Sequence, residues 1–355
     1  MLNGTLVFAI ALTTSFGLTV PVRWLALRLG MVDHPNSRKL HQSPMPLLGG
    51  LAIYCGTVVA FMFSLEGQPR GQILGILAAG TLLLATGILD DGGLLHHQIK
   101  LFVAMPIAAV TLVALRVRFN IASNFLPGSV GRSLDIALTL VWVVGITAAF
   151  SILDHMDGLV SGVAAIASFF FALLAILNGQ ALVAPLGAAV FGASLGFLRW
   201  NFKPAKLFMG DGGAMFLGFM MATLGVKLRL AHTPQMIAWV IPVLILAVPI
   251  FDTTLVTISR SRRGLVPFAS PGKDHTAHRL ANLHLGQRGA VLVIYSAGLL
   301  FGVLAVVVSQ FPLQQPLLFG FVLALACLAS IALLEKVPYE RQQKAGLSAA
   351  TRSAG

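Results

Sequence analysis

The chain has 355 residues, 57% hydrophobic and 10% charged, with a mean hydropathy of +0.88 and a formal net charge of +12. A soluble domain with a polar surface does not reach these values, so the sequence reads as an all-α polytopic membrane protein. Its basic residues are scattered over short loops between apolar runs, where the positive-inside rule accounts for them, and nucleic-acid binding is excluded.

About 20 apolar residues cross the hydrocarbon core as a helix. The sequence offers eleven such runs, at 4–22, 47–65, 72–89, 100–117, 134–153, 159–178, 181–199, 213–228, 235–252, 289–309 and 315–334. The first has no Lys or Arg ahead of it, lacks the basic region of a cleavable signal peptide, and is expected to remain as a span. Gly192, Ala193, Ser194 and Gly196 put small side chains where helices can approach closely. Pro242 and Pro249 interrupt the ninth run and predict a kink that aims its end, at Asp252, toward a site. Cys55 and Cys327 lie far apart in apolar runs, without disulfide or metal spacing.

Counting Lys and Arg in alternate loops gives eighteen on one side and six on the other, which sets the N-terminus outside and the C-terminus in the cytoplasm. Residues 1–335 are then one transmembrane catalytic domain, and 336–355 a short polar tail expected to be disordered. Eight of nine Asp and eight of nine His fall on the cytoplasmic side, with Asp135 and His232 the exceptions. A basic face alone would not collect acids, so the cytoplasmic loops are expected to form one composite polar site.

Five cytoplasmic segments would build it. The first runs from Asp33 to His41, where Arg38, Lys39 and His41 suit an anionic ligand, and continues through Pro44 and Pro46 into Gly49-Gly50. The second is Asp90-Asp91 followed by Lys100; helix neighbours point about 100° apart, so the two acids should have different partners. In the third, Asp154 and Asp157 share a face if the helix continues through them. The fourth sets Asp211 among Gly210, Gly212 and Gly213, where backbone can approach a phosphate or metal, with Lys203 and Lys206 just before it. The fifth, from Asp252 to Arg288, is the longest loop and carries Arg260, Arg262, Arg263 and the stretch Lys273 to Arg279, with His275 and His278 three apart. Hard oxygen ligands beside Lys and Arg indicate Mg²⁺, or Mn²⁺ as the alternative, shared with substrate phosphates. Phosphoryl transfer needs positioning and charge neutralisation, which acids, a metal and cations supply together. At a bilayer surface the co-substrate would be a lipid.

These residues resemble the polyprenyl-phosphate N-acetylhexosamine-1-phosphate transferases. The likeness covers residues 20–285 in family order: Asp33 to Ile53, Asp90-Asp91 with Leu94 and Lys100, Asp154-x-x-Asp157-Gly-Leu, Phe-Met-Gly-Asp211-Gly-Gly, Pro249-x-x-Asp252, and His275 to Leu280. It implies a ten- or eleven-helix enzyme of the bacterial cytoplasmic membrane, moving a sugar 1-phosphate from a UDP-N-acetylhexosamine to undecaprenyl phosphate with Mg²⁺ and releasing UMP. It implies Asp90, Asp91 and Asp211 as central acids, with Asp211, assisted by Asp91, toward the metal. Arg38, Lys39, His41, Lys100, Asp154, Asp157, Lys206, His275, His278 and Arg279 are the expected substrate-binding groups, and a homodimer is the candidate assembly. Four positions depart from the family pattern: Ala148 and Ser151 replace two Asn, His155 replaces the glycine after Asp154, and Ala277 replaces a His of a His-x-His-His cluster. The missing His run also favours the branch using UDP-GlcNAc over the one using the muramoyl-pentapeptide nucleotide. The competing readings are a membrane prenyltransferase, a lipid-phosphate transporter, and an inactive relative that scaffolds polysaccharide assembly.

Overall fold

The structure is a computed structural model that describes residues 4–34, 44–64, 70–95, 97–230, 238–266, 272–310 and 314–337. Arg38, Lys39, His41, His232 and the tail from 338 lie outside the described residues. Fourteen helices are described, with one two-stranded antiparallel pair: α1 (Gly4–Arg28), β1 (Val32–Asp33), β2 (Met45–Pro46), α2 (Gly49–Met62), α3 (Arg70–Asp91), α4 (His97–Ile99), α5 (Met105–Ala114), α6 (Ser129–Leu153), α7 (Leu159–Leu177), α8 (Val183–Asn201), α9 (Gly210–Lys227), α10 (Val240–Ile245), α11 (Ala247–Arg262), α12 (Thr276–Leu280), α13 (Gly286–Val308) and α14 (Gln314–Leu334). A widened π-helical turn, Lys100–Ala104, joins α4 to α5.

Among the described residues the apolar runs are largely helical, the ninth being divided between α10 and α11. Six helices among the described residues are long and apolar enough to cross a membrane: α1, α3, α6, α7, α8 and the stretch Thr276–Val308. Outward-facing Leu6, Phe16, Val20 and Trp24 on α1, or Leu292, Leu300 and Val303 on α13, are exposed apolar groups of the kind that lipid covers. The protein is an all-α membrane protein.

The ninth run breaks where its prolines dictate. Pro249 cannot donate a backbone hydrogen bond and its ring crowds the carbonyl four residues earlier, so the helix parts at Leu246, between α10 and α11. The helix then runs well past the expected end at 252, to Arg262. Much of the predicted fifth loop is therefore helix, carrying Asp252 and Arg260 on its buried face.

α9 is the hub. Every residue from Gly212 to Val226 is buried, and α9 packs against α2, α3, α6, α7 and α8. The glycines around Asp211 make that possible. A Cβ on Gly213 would run into the Gly50 backbone of α2, and one on Gly87 of α3 into Gly212. Gly212 and Gly213 thus serve helix contact, a correction to their expected role of admitting a phosphate. The Gly49 and Gly50 N–H groups donate to the Phe208 and Met209 carbonyls at 2.9 and 2.8 Å, and Phe208 N–H donates to the Pro46 carbonyl at 3.0 Å. This ties the start of α2 to the start of α9. The small residues of α8 meet α1 as expected, with Ser15 Oγ donating to the Ala193 carbonyl at 2.8 Å.

Asp135, the acid outside the cytoplasmic set, lies near the other end of α6 and accepts the N–H groups of Ile121, Ala122 and Ser123 at 2.8, 2.7 and 3.2 Å. It caps a turn roughly 27 Å from Leu153, at 1.5 Å rise per residue. Its role is structural.

Close helix approach at glycine gives a direct prediction. Gly87→Ala should destabilise the protein by roughly 1–3 kcal/mol through overpacking, whereas Gly145→Ala, where a Cβ meets nothing within 4 Å, should not. Thermal melts of the two variants in one detergent check this.

Candidate active site

α3 ends on Asp90-Asp91, and neighbouring positions on a helix diverge, so the two acids take different partners. Asp90 Oδ2 pairs with Lys100 Nζ at 2.9 Å, and the same ammonium also pairs with Asp211 Oδ2. Lys100 opens the π-helical turn, a local widening of the kind found at functional sites. Asp91 instead accepts the Asp211 backbone N–H through Oδ1 at 3.2 Å, capping the N-terminus of α9 from a different helix. Gly210, at φ +73, has no room for a Cβ because the Asp91 carboxylate fills that space.

Asp154 follows the last residue of α6 in a non-helical conformation, so Asp154 and Asp157 do not share a helical face as expected. The loop between α6 and α7 brings them to the site in another way. Asn201 Oδ1 accepts from Gly158 N–H at 3.1 Å and Ser161 Oγ at 3.0 Å, while Asp157 Oδ2 accepts from Ala205 N–H at 3.1 Å. Among the described residues nothing donates to the Asp154 carboxylate. Burial, then the charges of Asp211, Asp91 and Asp157, push its carboxyl well above the usual range. Ser151, in place of a family Asn, has its Oγ 3.4 Å from Asp211 Oδ1.

A second layer of imidazoles and guanidinium groups lies against the first. The His155 ring stacks on His275 with centroids 4.1 Å apart and tilts toward His278 at 4.8 Å. His275 Nδ1 is 2.8 Å from Asp252 Oδ2, and Asp252 Oδ1 accepts the Thr276 N–H at 2.7 Å. The Ile152 carbonyl can only accept, so its 3.3 Å contact with His155 Nδ1 assigns the proton to that nitrogen. The buried Nε2 is left with no partner among the described residues. Burial and the neighbouring His275 hold the His155 ring well below the usual imidazole range. His155, His275 and Asp252 offer ligand atoms within 4.8 Å of one another. Stacked rings do not converge their lone pairs on one point, however, and both Asp252 oxygens are committed, so the group reads as a positioning array.

Asp274 is held by Arg260 through Nε at 3.1 Å and Nη2 at 2.8 Å, and also by Arg263. Burial alone would raise its carboxyl, but these hydrogen bonds outweigh burial and keep it below the usual carboxylate range. Arg279 is fully buried. Its guanidinium donates to the Asp274 carbonyl at 2.9 Å, the Leu334 carbonyl at 2.6 Å, Ser259 Oγ at 2.9 Å and Glu335 Oε1 at 2.8 Å. These contacts make Arg279 a clamp on the end of α14, in place of its expected substrate contact.

Of the expected groups, Asp90, Asp91, Lys100, Asp154, Asp157 and Asp211 meet in the acid cluster, and His275 and His278 meet in the second layer. Lys206 is exposed, its ammonium 5.5 Å from the Trp200 ring centre. Arg260 was expected as one cation of the fifth segment, not as the partner of Asp274; His155 and Ser151 were legible only as departures from a pattern.

A bundle of membrane-length helices carrying this acid cluster at one end defines a membrane enzyme built for phosphate chemistry. Residues 73–229 match the model of glycosyl transferase family 4. The chain is 35% identical over 325 residues, covering 91% of itself and 90% of the relative, to the probable undecaprenyl-phosphate N-acetylglucosaminyl 1-phosphate transferase of Bacillus subtilis (strain 168). It is 34% identical to the decaprenyl-phosphate N-acetylglucosaminephosphotransferase of Mycobacterium tuberculosis (strain ATCC 25618 / H37Rv), over 80% of this chain and 77% of that one. With the undecaprenyl-phosphate alpha-N-acetylglucosaminyl 1-phosphate transferase of Yersinia pestis it shares 29% identity, over 80% and 79% of the two chains. The chain belongs to glycosyl transferase family 4.

Two predictions follow from the charges. A carboxyl raised in the folded state costs stability once pH exceeds its unfolded value. Asp154→Asn should therefore melt higher than wild type in chelator at pH 8, and the difference should vanish below about pH 3, where Asp154 is protonated in the folded and the unfolded chain alike; a lower melting point at pH 8 would contradict the assignment. Asp274→Asn removes the carboxylate charge that faces Arg260 and Arg263 and should cost roughly 3–5 kcal/mol, as breaking a buried pair does, read as a lower denaturation midpoint.

Proposed function

We propose that this protein transfers N-acetylglucosamine 1-phosphate from UDP-N-acetylglucosamine to undecaprenyl phosphate, releasing UMP and opening the synthesis of a cell-envelope polysaccharide. The observation that carries the reading is the convergence of Asp90, Asp91, Asp154 and Asp211 on a site where Lys100 pairs with Asp90 and Asp211. Relatives named for this transfer over most of their length support it. The eleven apolar runs and the distribution of Lys and Arg favour eleven spans, with the N-terminus outside and the site at the cytoplasmic face of the bacterial inner membrane.

A cluster of hard carboxylate oxygens, one of them without a hydrogen-bond donor among the described residues, suits a divalent cation such as Mg²⁺. Asp211, Asp154 and Asp91 would hold it, and when bound it would neutralise charge on the bridging phosphates. The chain's own residues then position the reactants. An oxygen of the polyprenyl phosphate forms a bond to the sugar-bearing phosphorus, and the bond from that phosphorus to the UMP oxygen breaks. Lys100, fixed between Asp90 and Asp211, places positive charge beside the exchanged phosphates. Asn201 and Ala205 hold the loop that presents Asp154. Asp252 orients His275, and His155 and His278 pack around that ring. Because one pyrophosphate linkage replaces another, the reaction is expected to run readily in both directions.

The test is UMP release by purified protein supplied with UDP-N-acetylglucosamine, undecaprenyl phosphate and Mg²⁺. Asp90→Asn, Asp91→Asn and Asp211→Asn should each lower it by on the order of 100-fold or more with expression unchanged. Full activity in any one refutes that residue's role, and UMP release without added polyprenyl phosphate refutes the reaction.

A further inference from the structure

Beside the α6–α7 loop, a groove of about 470 Å³ opens between the end of α8 and α13. α7 packs against both helices. Leu195, Leu198, Arg199 and Phe202 are spaced at i, i+3, i+4 and i+7 and lie on one stripe of α8 and its end. Tyr295 of α13 forms the opposite wall. The lining is mainly hydrocarbon, and its charged members are the cations Arg199, Lys203 and Lys206. No carboxylate lines it, and among the described residues none of these three cations forms an ion pair. Other basic groups near this end of the bundle are differently placed: Lys100, Arg260, Arg263 and Arg279 all pair with acids.

The geometry points to a binding site for an anionic phospholipid of the surrounding bilayer, its phosphodiester on Arg199 and Lys203 and its acyl chains along Leu195, Leu198 and Phe202. Charge complementarity and the apolar wall select an amphiphile over a free anion. The absence of acids in the lining separates the groove from the reacting centre: a phosphate here is held but meets no metal-binding group.

Both walls reach the acid cluster. Tyr295 Oη donates to the Gly158 carbonyl at 2.5 Å, and a Cβ on Gly158, at φ +78, would stand 3.0 Å from Phe202 and 3.3 Å from Tyr295 Oη. Ala205 N–H, between Pro204 and Lys206 of the lining, donates to Asp157. An occupant that orders Phe202, Tyr295 and the 203–206 turn therefore steadies the loop presenting Asp154. The lipid would act as an activator bound outside the reacting centre. This activating role rests on the function proposed above, whereas lipid binding is independent of it.

The experiment places the protein in nanodiscs of phosphatidylcholine alone or mixed with phosphatidylglycerol, and reads both retained lipid by native mass spectrometry and UMP release. Wild type should retain phosphatidylglycerol in preference to phosphatidylcholine and turn over faster in the mixture. Removing a cation near a phosphate costs a factor of about five, so R199Q/K203Q should weaken phosphatidylglycerol retention roughly 25-fold. Its rate in phosphatidylcholine should stay at the wild-type level while the stimulation disappears. Tyr295→Phe should retain the lipid but lose most of the stimulation, since it keeps the ring and removes the link to Gly158. Equal retention by wild type and R199Q/K203Q overturns the site, as does displacement of the lipid by undecaprenyl phosphate at stoichiometric amounts, which would make the groove a substrate channel. Undiminished stimulation in Tyr295→Phe overturns the coupling. Lipid retention without any UMP release would leave the site standing and remove the proposed reaction.

Discussion

The acid cluster exists because α9 can approach α2 and α3 at backbone distance. Gly213 against Gly50 and Gly212 against Gly87 bring the N-terminus of α9 beside the C-terminus of α3, and only then can Asp91 accept the Asp211 N–H while Lys100 spans Asp90 and Asp211. Partly buried carboxylates facing one another are unfavourable without a compensating charge. Lys100 supplies part of it. The remainder, concentrated at Asp154, is what a divalent cation would relieve.

The second layer is built on the opposite principle. Asp252 and Asp274 each have their oxygens satisfied, by His275 and the Thr276 N–H in one case and by Arg260 and Arg263 in the other. Satisfied buried charges rigidify a segment, while unsatisfied ones wait for a partner. The end of α11 is thus locked to Asp274 and the start of α12, and the α6–α7 loop, fastened by Asn201, Ala205 and Tyr295, carries the carboxylate that has no donor among the described residues. Arg279 secures α12 to α14 and so contributes by position, not by contact with substrate.

Apolar run length was sufficient to place the helices, because a membrane-spanning segment must satisfy its backbone internally and cover itself with apolar side chains. The acids Asp90, Asp91, Asp154, Asp157 and Asp211, picked out by their share of one side of the bundle, do come together. What stayed hidden depended on backbone geometry. Gly212 and Gly213 read as a turn that admits a phosphate or metal, and only the approach of α2 and α3 shows them as helix contacts. Asp154 and Asp157 lost their helical relation because α6 stops at Leu153. Arg279 carries the same charge whether it faces a ligand or a carbonyl, and only burial distinguishes the two. His155 could be seen as a departure, but its stacking on His275 and His278 joins residues 120 positions apart or more, which no local pattern encodes.

The central claim is that the carboxylates gathered at the start of α9 form a divalent-cation site. Mn²⁺ binding followed by electron paramagnetic resonance on purified protein, without either substrate, measures this independently of turnover. Wild type should bind one Mn²⁺ that Mg²⁺ displaces, and both Asp211→Asn and Asp154→Asn should abolish that binding while remaining folded. Equal Mn²⁺ binding by wild type and the two variants would contradict the account.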